Sequence, residues 1–287
     1  MDHLRIGSLC TGYGGLEMGL RALFPGAVVS FMADNDPAVS VLLESRYPHY
    51  NHGDLFEIRG ADLPGADILA AGFPCQPFSV IGKQAGKSDK RFVFDEITRI
   101  ISEMDPRPGM LVLENVPGLR TVDNGWVFHY VIRALANLRY VGSYGVYRAA
   151  EIGAPHPRAR LFLVAFTADA PGIIQRVQDA RGDTSPAESE AREILARGGI
   201  SDSETSFWSP YGDTIHRWER ICRRVAPFPV EPFPGSLPRV SLRFVEWMMG
   251  IPEGWVTDLP LKYEDRARIL GNGVVPQQAE YAIRDLL

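Results

Sequence analysis

The chain has 287 residues, 45% hydrophobic and 23% charged, with a formal net charge of −5, the profile of an ordinary globular protein with one large and one smaller domain. Its three cysteines, Cys10, Cys75 and Cys222, are too few and too widely spaced for a disulfide framework or a zinc cluster. No apolar run approaches the roughly 18 residues of a membrane span, so a cytosolic location is expected, and the acidic balance requires any nucleic-acid partner to be held by a local basic patch.

The first 165 residues alternate short apolar runs with segments of helical period, the pattern of a parallel sheet covered on both faces. Strands are predicted over 4–9, 27–33, 68–71, 110–113, 144–149 and 161–166. The first runs into the glycine-rich turn Gly12-Tyr13-Gly14-Gly15 and a helix to about Leu23, a place where backbone can approach a ligand closely. The second ends in Asp34-Asn35-Asp36, where a carboxylate can accept hydrogen bonds from both hydroxyls of a ribose. Asp54, between Gly53 and Leu55, suits an adenine amino group. Together these residues describe an adenosine-shaped pocket for a nicotinamide dinucleotide or for S-adenosylmethionine. The turn lacks the third small residue of a dinucleotide site, and Glu17 near its opening repels a pyrophosphate, so the residues favour S-adenosylmethionine.

The third strand leads into Gly72-Phe73-Pro74-Cys75-Gln76-Pro77-Phe78-Ser79. Proline-bracketed backbone can present a thiol with little freedom to lose, as a nucleophile requires, although an isolated cysteine beside a turn is more often a small core residue. The segment 77–94 is glycine-rich and basic. The fourth strand is followed by Glu114-Asn115-Val116, at the edge where open parallel sheets place ligands. Arg158 and Arg160, two residues apart in an extended segment, are read as pointing to one side. From about 167 to 238 the alternation stops, and a mixed-charge helix is predicted over 186–197. A packing helix over 242–250, with 251–255 as its stop, precedes Gly271-Asn272-Gly273-Val274-Val275-Pro276 and a last helix over 277–287.

In that order, the glycine-rich turn, Pro74-Cys75-Gln76, Glu114-Asn115-Val116, Arg158-Ala159-Arg160 and Gly271-Asn272-Gly273-Val274 resemble the motifs of the DNA (cytosine-5)-methyltransferases of bacterial or phage type, over nearly the whole chain. The resemblance implies an α/β, Rossmann-like S-adenosylmethionine-dependent methyltransferase fold with a small, mostly irregular target-recognition domain. It divides the chain into a catalytic domain (1–166), a target-recognition domain (167–238) and a C-terminal segment (239–287) that returns to the catalytic domain. It assigns Cys75 to attack carbon 6 of a flipped-out cytosine, Glu114 to bond N3 and the exocyclic amine, and Arg160 with Arg158 to hold the O2 side and nearby phosphate. S-adenosylmethionine, leaving as S-adenosylhomocysteine, is assigned to Thr11, Gly12, Tyr13, Gly14, Gly15, Leu16, Asp34, Asn35, Asp54, Leu55, Phe73, Pro74, Asn272 and Val274. Double-stranded DNA is assigned to Gln76, Ser79, Lys83, Lys87 and Arg91 in a mobile loop, and to Trp208, Arg217 and Arg220.

The resemblance calls for no metal. It implies a monomer in a bacterial or phage-infected cell, with a cognate restriction endonuclease or later DNA-modifying enzymes as further partners. Cys10 stands where the family usually has a phenylalanine packed on the adenine, and His156 where glutamine is more usual. Three competing readings are an RNA substrate, a catalytically dead DNA-binding protein, and a nicotinamide-dependent oxidoreductase.

Overall fold

The structure, a computed structural model, describes residues 3–47, 51–74, 92–170, 172–180, 207–232 and 237–287. A six-stranded sheet is built from β1 (Arg5–Leu9), β2 (Val28–Ala33), β3 (Ile68–Gly72), β4 (Met110–Asn115), β5 (Tyr140–Arg148) and β6 (Ala159–Thr167), in the order β2-β1-β3-β4-β6-β5. The first four are parallel. The near-continuous apolar sequences of β3 and of the first four residues of β4 follow from burial on both faces. Alternate residues feed opposite cores: Leu69, Ala71, Leu111 and Leu113 enter one cluster, Ile68, Ala70, Met110 and Val112 the other.

The remaining two strands correct the expectation of a parallel sheet. β6 runs antiparallel to both β4 and β5. β5 also starts at Tyr140, ahead of the predicted 144, because Val141 through Tyr144 lie exposed on the sheet edge and need no apolar pattern.

Helices α1 (Gly15–Leu23) and, from the far end of the chain, a terminal helix over Pro276–Leu286 cover one face, burying Leu20, Leu23, Ala279, Ala282 and Ile283 together. The other face is covered by α3 (Val93–Glu103) and α4 (Trp126–Asn137) through Phe94, Ile97, Ile100, Val131 and Leu135. Between them in sequence, α2 (Pro37–Arg46) starts where Pro37 can take its first position. Asp36 caps it, accepting the N–H groups of Ala38 at 2.9 Å and Val39 at 3.1 Å, a favourable helix start.

Helix α5 (Ile173–Ala180) falls inside the segment assigned to target recognition, yet it packs on the catalytic sheet. Ile173 and Val177 join the α1 core, and Arg176 bonds Asp67 at 2.7 Å. The predicted helix over 186–197 lies outside the described residues.

Beyond α5 come α6 (Gly212–Cys222), the short pair β7 (Val230–Glu231) and β8 (Arg239–Val240), α7 (Leu242–Met248) and α8 (Tyr263–Asn272). Fully buried Trp218 and Trp247 anchor them in one apolar cluster with Val39, Leu42 and Leu43 of α2. Trp218 Nε1 donates to Trp247 O at 2.9 Å, and Trp247 Nε1 to Arg224 O at 3.0 Å, so both indoles find the partner that burial demands. Buried Glu246 organises the turn after α7 by accepting the N–H groups of Gly254, Val256 and Thr257 within 3.0 Å. The chain then returns through α8 and closes with α9 (Pro276–Leu286) against α1. No helix among the described residues is long and apolar enough to cross a membrane.

Candidate active site

The carboxyl ends of β1 to β4 open into a cavity of about 410 Å³. Its floor begins at the glycine-rich turn. Gly12 and Gly14 have φ of 58° and 86°, a left-handed region that glycine enters without a Cβ penalty. Gly15 serves a different need, since a Cβ there would collide with the carbonyl oxygen of Val274. The C-terminal segment thus lies directly on the first turn of α1. Tyr13 reinforces the contact by donating its hydroxyl to Val274 O at 2.7 Å, and Trp255 Nε1 reaches Tyr13 O at 2.9 Å.

One end of the cavity is acidic. Asp34, at the end of β2, accepts Gly12 N–H at 2.9 Å and Asp36 N–H at 3.0 Å. Burial pushes its carboxyl above the ordinary value against the pull of those N–H groups. Asn35 donates its side-chain amide to Asp54 at 3.1 Å. Cys10 also lines this end, and burial, with Asp34 and Asp54 nearby, drives its thiol up to about 12. It is a neutral thiol near pH 7, unsuited to attack.

The other end is formed by β3, β4 and β6. Gly72 pairs with Glu114 across the parallel ladder, and Glu114 with Phe162 across the antiparallel one. Arg160, two residues before Phe162, bonds Glu114 Oε1 at 2.9 Å through Nε. Glu114 is only 7% exposed, and desolvation raises its carboxyl to about 7 even though Arg160 and Arg158 pull it down. A carboxyl balanced near neutrality can carry or release a proton. Asn115 fixes the adjoining strand end by donating to Phe73 O at 2.8 Å. Phe73 and Pro74 complete this wall; the next residue, Cys75, lies outside the described residues, as do Gln76, Ser79, Lys83, Lys87 and Arg91.

The fold therefore brings Gly12, Asp34, Asn35, Asp54, Leu55, Phe73, Pro74, Glu114, Arg160 and Asn272 to one cavity. Other expected residues stand behind its wall. Thr11 ties β1 to β2 through Ser8 Oγ at 2.8 Å and Ala33 O at 3.3 Å. Tyr13, Gly14, Gly15, Leu16 and Val274 are buried in the packing between α1 and the returning segment. Glu17, expected near the ligand, is buried and accepts the Ser8 hydroxyl at 2.5 Å.

Arg158 and Arg160 take different partners: the Arg158 guanidinium holds Gly271 O, at 2.9 Å, and Gly273 O, while both arginines pull the Glu114 carboxyl down. In the segment assigned to target recognition, Trp208 stacks on Phe244 with centroids 5.8 Å apart, Arg217 packs against Gly153, and Arg220 is exposed.

Sequence reasoning missed Phe56, Val93, Arg268 and Ile269, all of which line the cavity. Phe56 and Val93 carry no spacing signal. Arg268 and Ile269 stand just before the Gly271-Asn272 motif, and that neighbourhood is the one available hint.

A family model described as C-5 cytosine-specific DNA methylase matches residues 4–209. The type II methyltransferase M.BsuFI of Bacillus subtilis is 37% identical over 162 residues, 56% of this chain and 39% of that protein. M.HhaI of Haemophilus parahaemolyticus is 32% identical over 170 residues, 59% and 51% of the two chains. The matched region spans about half or less of these relatives' lengths. The crystal structure of S. pombe Dnmt2 methyltransferase superimposes with a TM-score of 0.67 at 18% identity, covering 99% of this chain and 98% of that one. At that identity the likeness is one of fold, and it is the mixed α/β methyltransferase fold described above. With the family model matching well over half of its residues, the chain belongs to the C-5 cytosine-specific DNA methylase family.

Proposed function

We propose that the chain methylates carbon 5 of cytosine in a short specific sequence of double-stranded DNA, using S-adenosylmethionine and a covalent adduct between Cys75 and carbon 6 of a flipped-out base. The carrying observation is the single cavity in which a nucleoside-type acidic end, Asp34 and Asp54, meets the Glu114–Arg160 pair across Gly72, Phe73 and Pro74. Cys75 follows Pro74 directly in the chain.

The residues fit a nucleoside carrying an amino-acid tail better than a dinucleotide. A pyrophosphate would seek the N-terminus of α1, but that turn is packed against the Val274 carbonyl, with buried Glu17 in its first turn. Asp34 would receive the ribose hydroxyls and Asp54 the adenine amino group. Bound there, S-adenosylmethionine supplies an electrophilic methyl group and leaves as S-adenosylhomocysteine.

The protein's own work is to make carbon 5 nucleophilic. The Cys75 thiolate bonds to carbon 6, and the electron pair of the 5,6 double bond becomes available at carbon 5. Glu114, protonated near neutral pH, shares its proton with N3 and so neutralises the charge that develops on attack. Arg160 steadies Glu114 and presents positive charge to the base. After methylation a base or water removes the carbon 5 proton, the double bond re-forms, and the Cys75 thiolate is expelled. Extruding the cytosine costs a few kcal/mol; the basic segment through Lys83, Lys87 and Arg91, with Gln76 and Ser79, is proposed to repay it on the DNA, while Trp208, Arg217 and Arg220 belong to the recognition side.

Transfer of tritiated methyl groups to double-stranded DNA, followed by bisulfite sequencing, tests substrate, product and context together. DNA containing 5-fluorocytosine should trap a covalent complex with the wild type and none with Cys75→Ser. Label appearing in tRNA and not in DNA would overturn the substrate, and near-native turnover by Cys75→Ser would overturn the mechanism.

A further inference from the structure

The Asp36 carboxylate joins two elements far apart in the chain. While it caps α2, it also receives Arg268 of α8: Nη1 contacts Oδ2, and Nη2 lies 3.2 Å from Oδ1. Asp265, one turn earlier, holds the same Nη2 at 3.1 Å. The Asp36 N–H donates to one oxygen of Asp34, at 3.0 Å, and the other oxygen accepts Gly12 N–H at 2.9 Å. Arg268, Asp36, Asp34 and Gly12 therefore form one polar chain from the returning C-terminal segment to the glycine-rich turn. All four line the cavity.

This arrangement has little to offer the stability of the free protein. The Arg268 side chain is 42% exposed and that of Asp36 25%, and pairs so open to water contribute little. Its effect is directed at Asp34 instead. Desolvation raises the Asp34 carboxyl, the neighbouring Asp36 carboxylate raises it further, and Arg268 is the cation that opposes both. A ligand covering the mouth removes water from the pair, and in the lower dielectric the same charges act more strongly.

We propose that Arg268 is a positioning residue for the cofactor, fixing through Asp36 the carboxylate of Asp34 that receives the ribose hydroxyls. The C-terminal segment then completes the nucleoside end of the site. This inference rests on the reading of the cavity as an S-adenosylmethionine site.

Calorimetric titration of the full chain with S-adenosylhomocysteine, and with an analogue lacking both ribose hydroxyls, tests it. Arg268→Ala should weaken S-adenosylhomocysteine by about tenfold, a coupling typical of groups in one hydrogen-bonded network, with Arg268→Lys falling between the two. The analogue should bind wild type weakly and Arg268→Ala no worse. Thermal unfolding of the ligand-free variants should stay close to wild type, which separates positioning from a structural role. Equal weakening of both ligands, or unchanged affinity for S-adenosylhomocysteine, overturns the role of Arg268 alone. A wild type that binds both ligands equally well removes Asp34 as the ribose acceptor and overturns the inference. A wild type that binds no S-adenosylhomocysteine refutes the cofactor reading, and the inference falls with it.

Discussion

Replacing Glu17 with glutamine should change how stability depends on pH, with little change at acid pH. Glu17 is 1% exposed. One oxygen accepts the Ser8 hydroxyl at 2.5 Å, while the other is buried with no hydrogen-bond partner among the described residues. Desolvation raises the carboxyl from 4.5 to about 7, with the Ser8 hydroxyl and the residue's own N–H pulling the other way. Because the folded state holds the proton more tightly, nothing is lost below 4.5, where both states are protonated. As pH climbs from 4.5 toward about 7 the unfolded chain releases its proton first and stability falls. At about 1.4 kcal/mol for each tenfold step, the loss approaches about 3 kcal/mol above neutrality. Glutamine keeps the shape and removes the ionisation. Urea unfolding should therefore show wild type and Glu17→Gln similar near pH 4 and the variant more stable by about 3 kcal/mol near pH 8. Glu114 has the same upward shift, but it is common to both proteins and cancels in the difference. A difference that does not vary with pH would refute the assignment of a neutral, buried Glu17.

Glu114→Gln should slow methyl transfer by roughly 10²-fold or more, the range for a lost acid–base group. Since burial holds Glu114 at about 7, wild-type kcat/KM should fall as pH rises through that value; an alkaline limb that survives in the variant belongs to another group. Trp218→Ala removes a fully buried indole and should cost about 3–5 kcal/mol in urea unfolding; a loss under about 1 kcal/mol would contradict its role as an anchor. Arg220 is exposed on α6, and if it meets a phosphate, Arg220→Ala should weaken DNA binding and lower the slope of log K against log salt by about one. An unchanged slope would place that contact elsewhere.

The parts of this fold legible in the sequence are those where one local pressure acts alone. Ile68 to Ala71 and Met110 to Leu113 are buried on both sheet faces, so their sequences are apolar without interruption. The glycine turn is legible because positive φ at Gly12 and Gly14 restricts the residue type. Where several pressures meet, legibility fails. The first half of β5 is an exposed edge and carries no periodic signal. Helix α5 sits in a Gly-, Pro- and acid-rich stretch, and it joins the sheet through the buried Ile173 and Val177, the partly buried Ala180 and the Arg176–Asp67 bond. Phe56 and Arg268 reach the cavity only after folding, so their roles cannot be read from neighbours in the chain.

The two arginines of Arg158-Ala159-Arg160 show why a motif can be recognised while its division of labour is missed. Spacing of two places side chains on one side of an extended segment, and the pairing continues past β6, with Ala149 N–H donating to Arg158 O at 3.2 Å. Arg160 bonds Glu114 at 2.9 Å and both arginines lower its carboxyl, but spacing alone does not name the partners of Arg158. Its guanidinium reaches Gly271 O and Gly273 O, carbonyls of a segment whose backbone walls the cavity beside Asn272. One motif thus serves both ends of the proposed reaction. Arg160 acts on Glu114, the group proposed to face the base, and Arg158 holds the returning chain against the site where the methyl donor is proposed to lie.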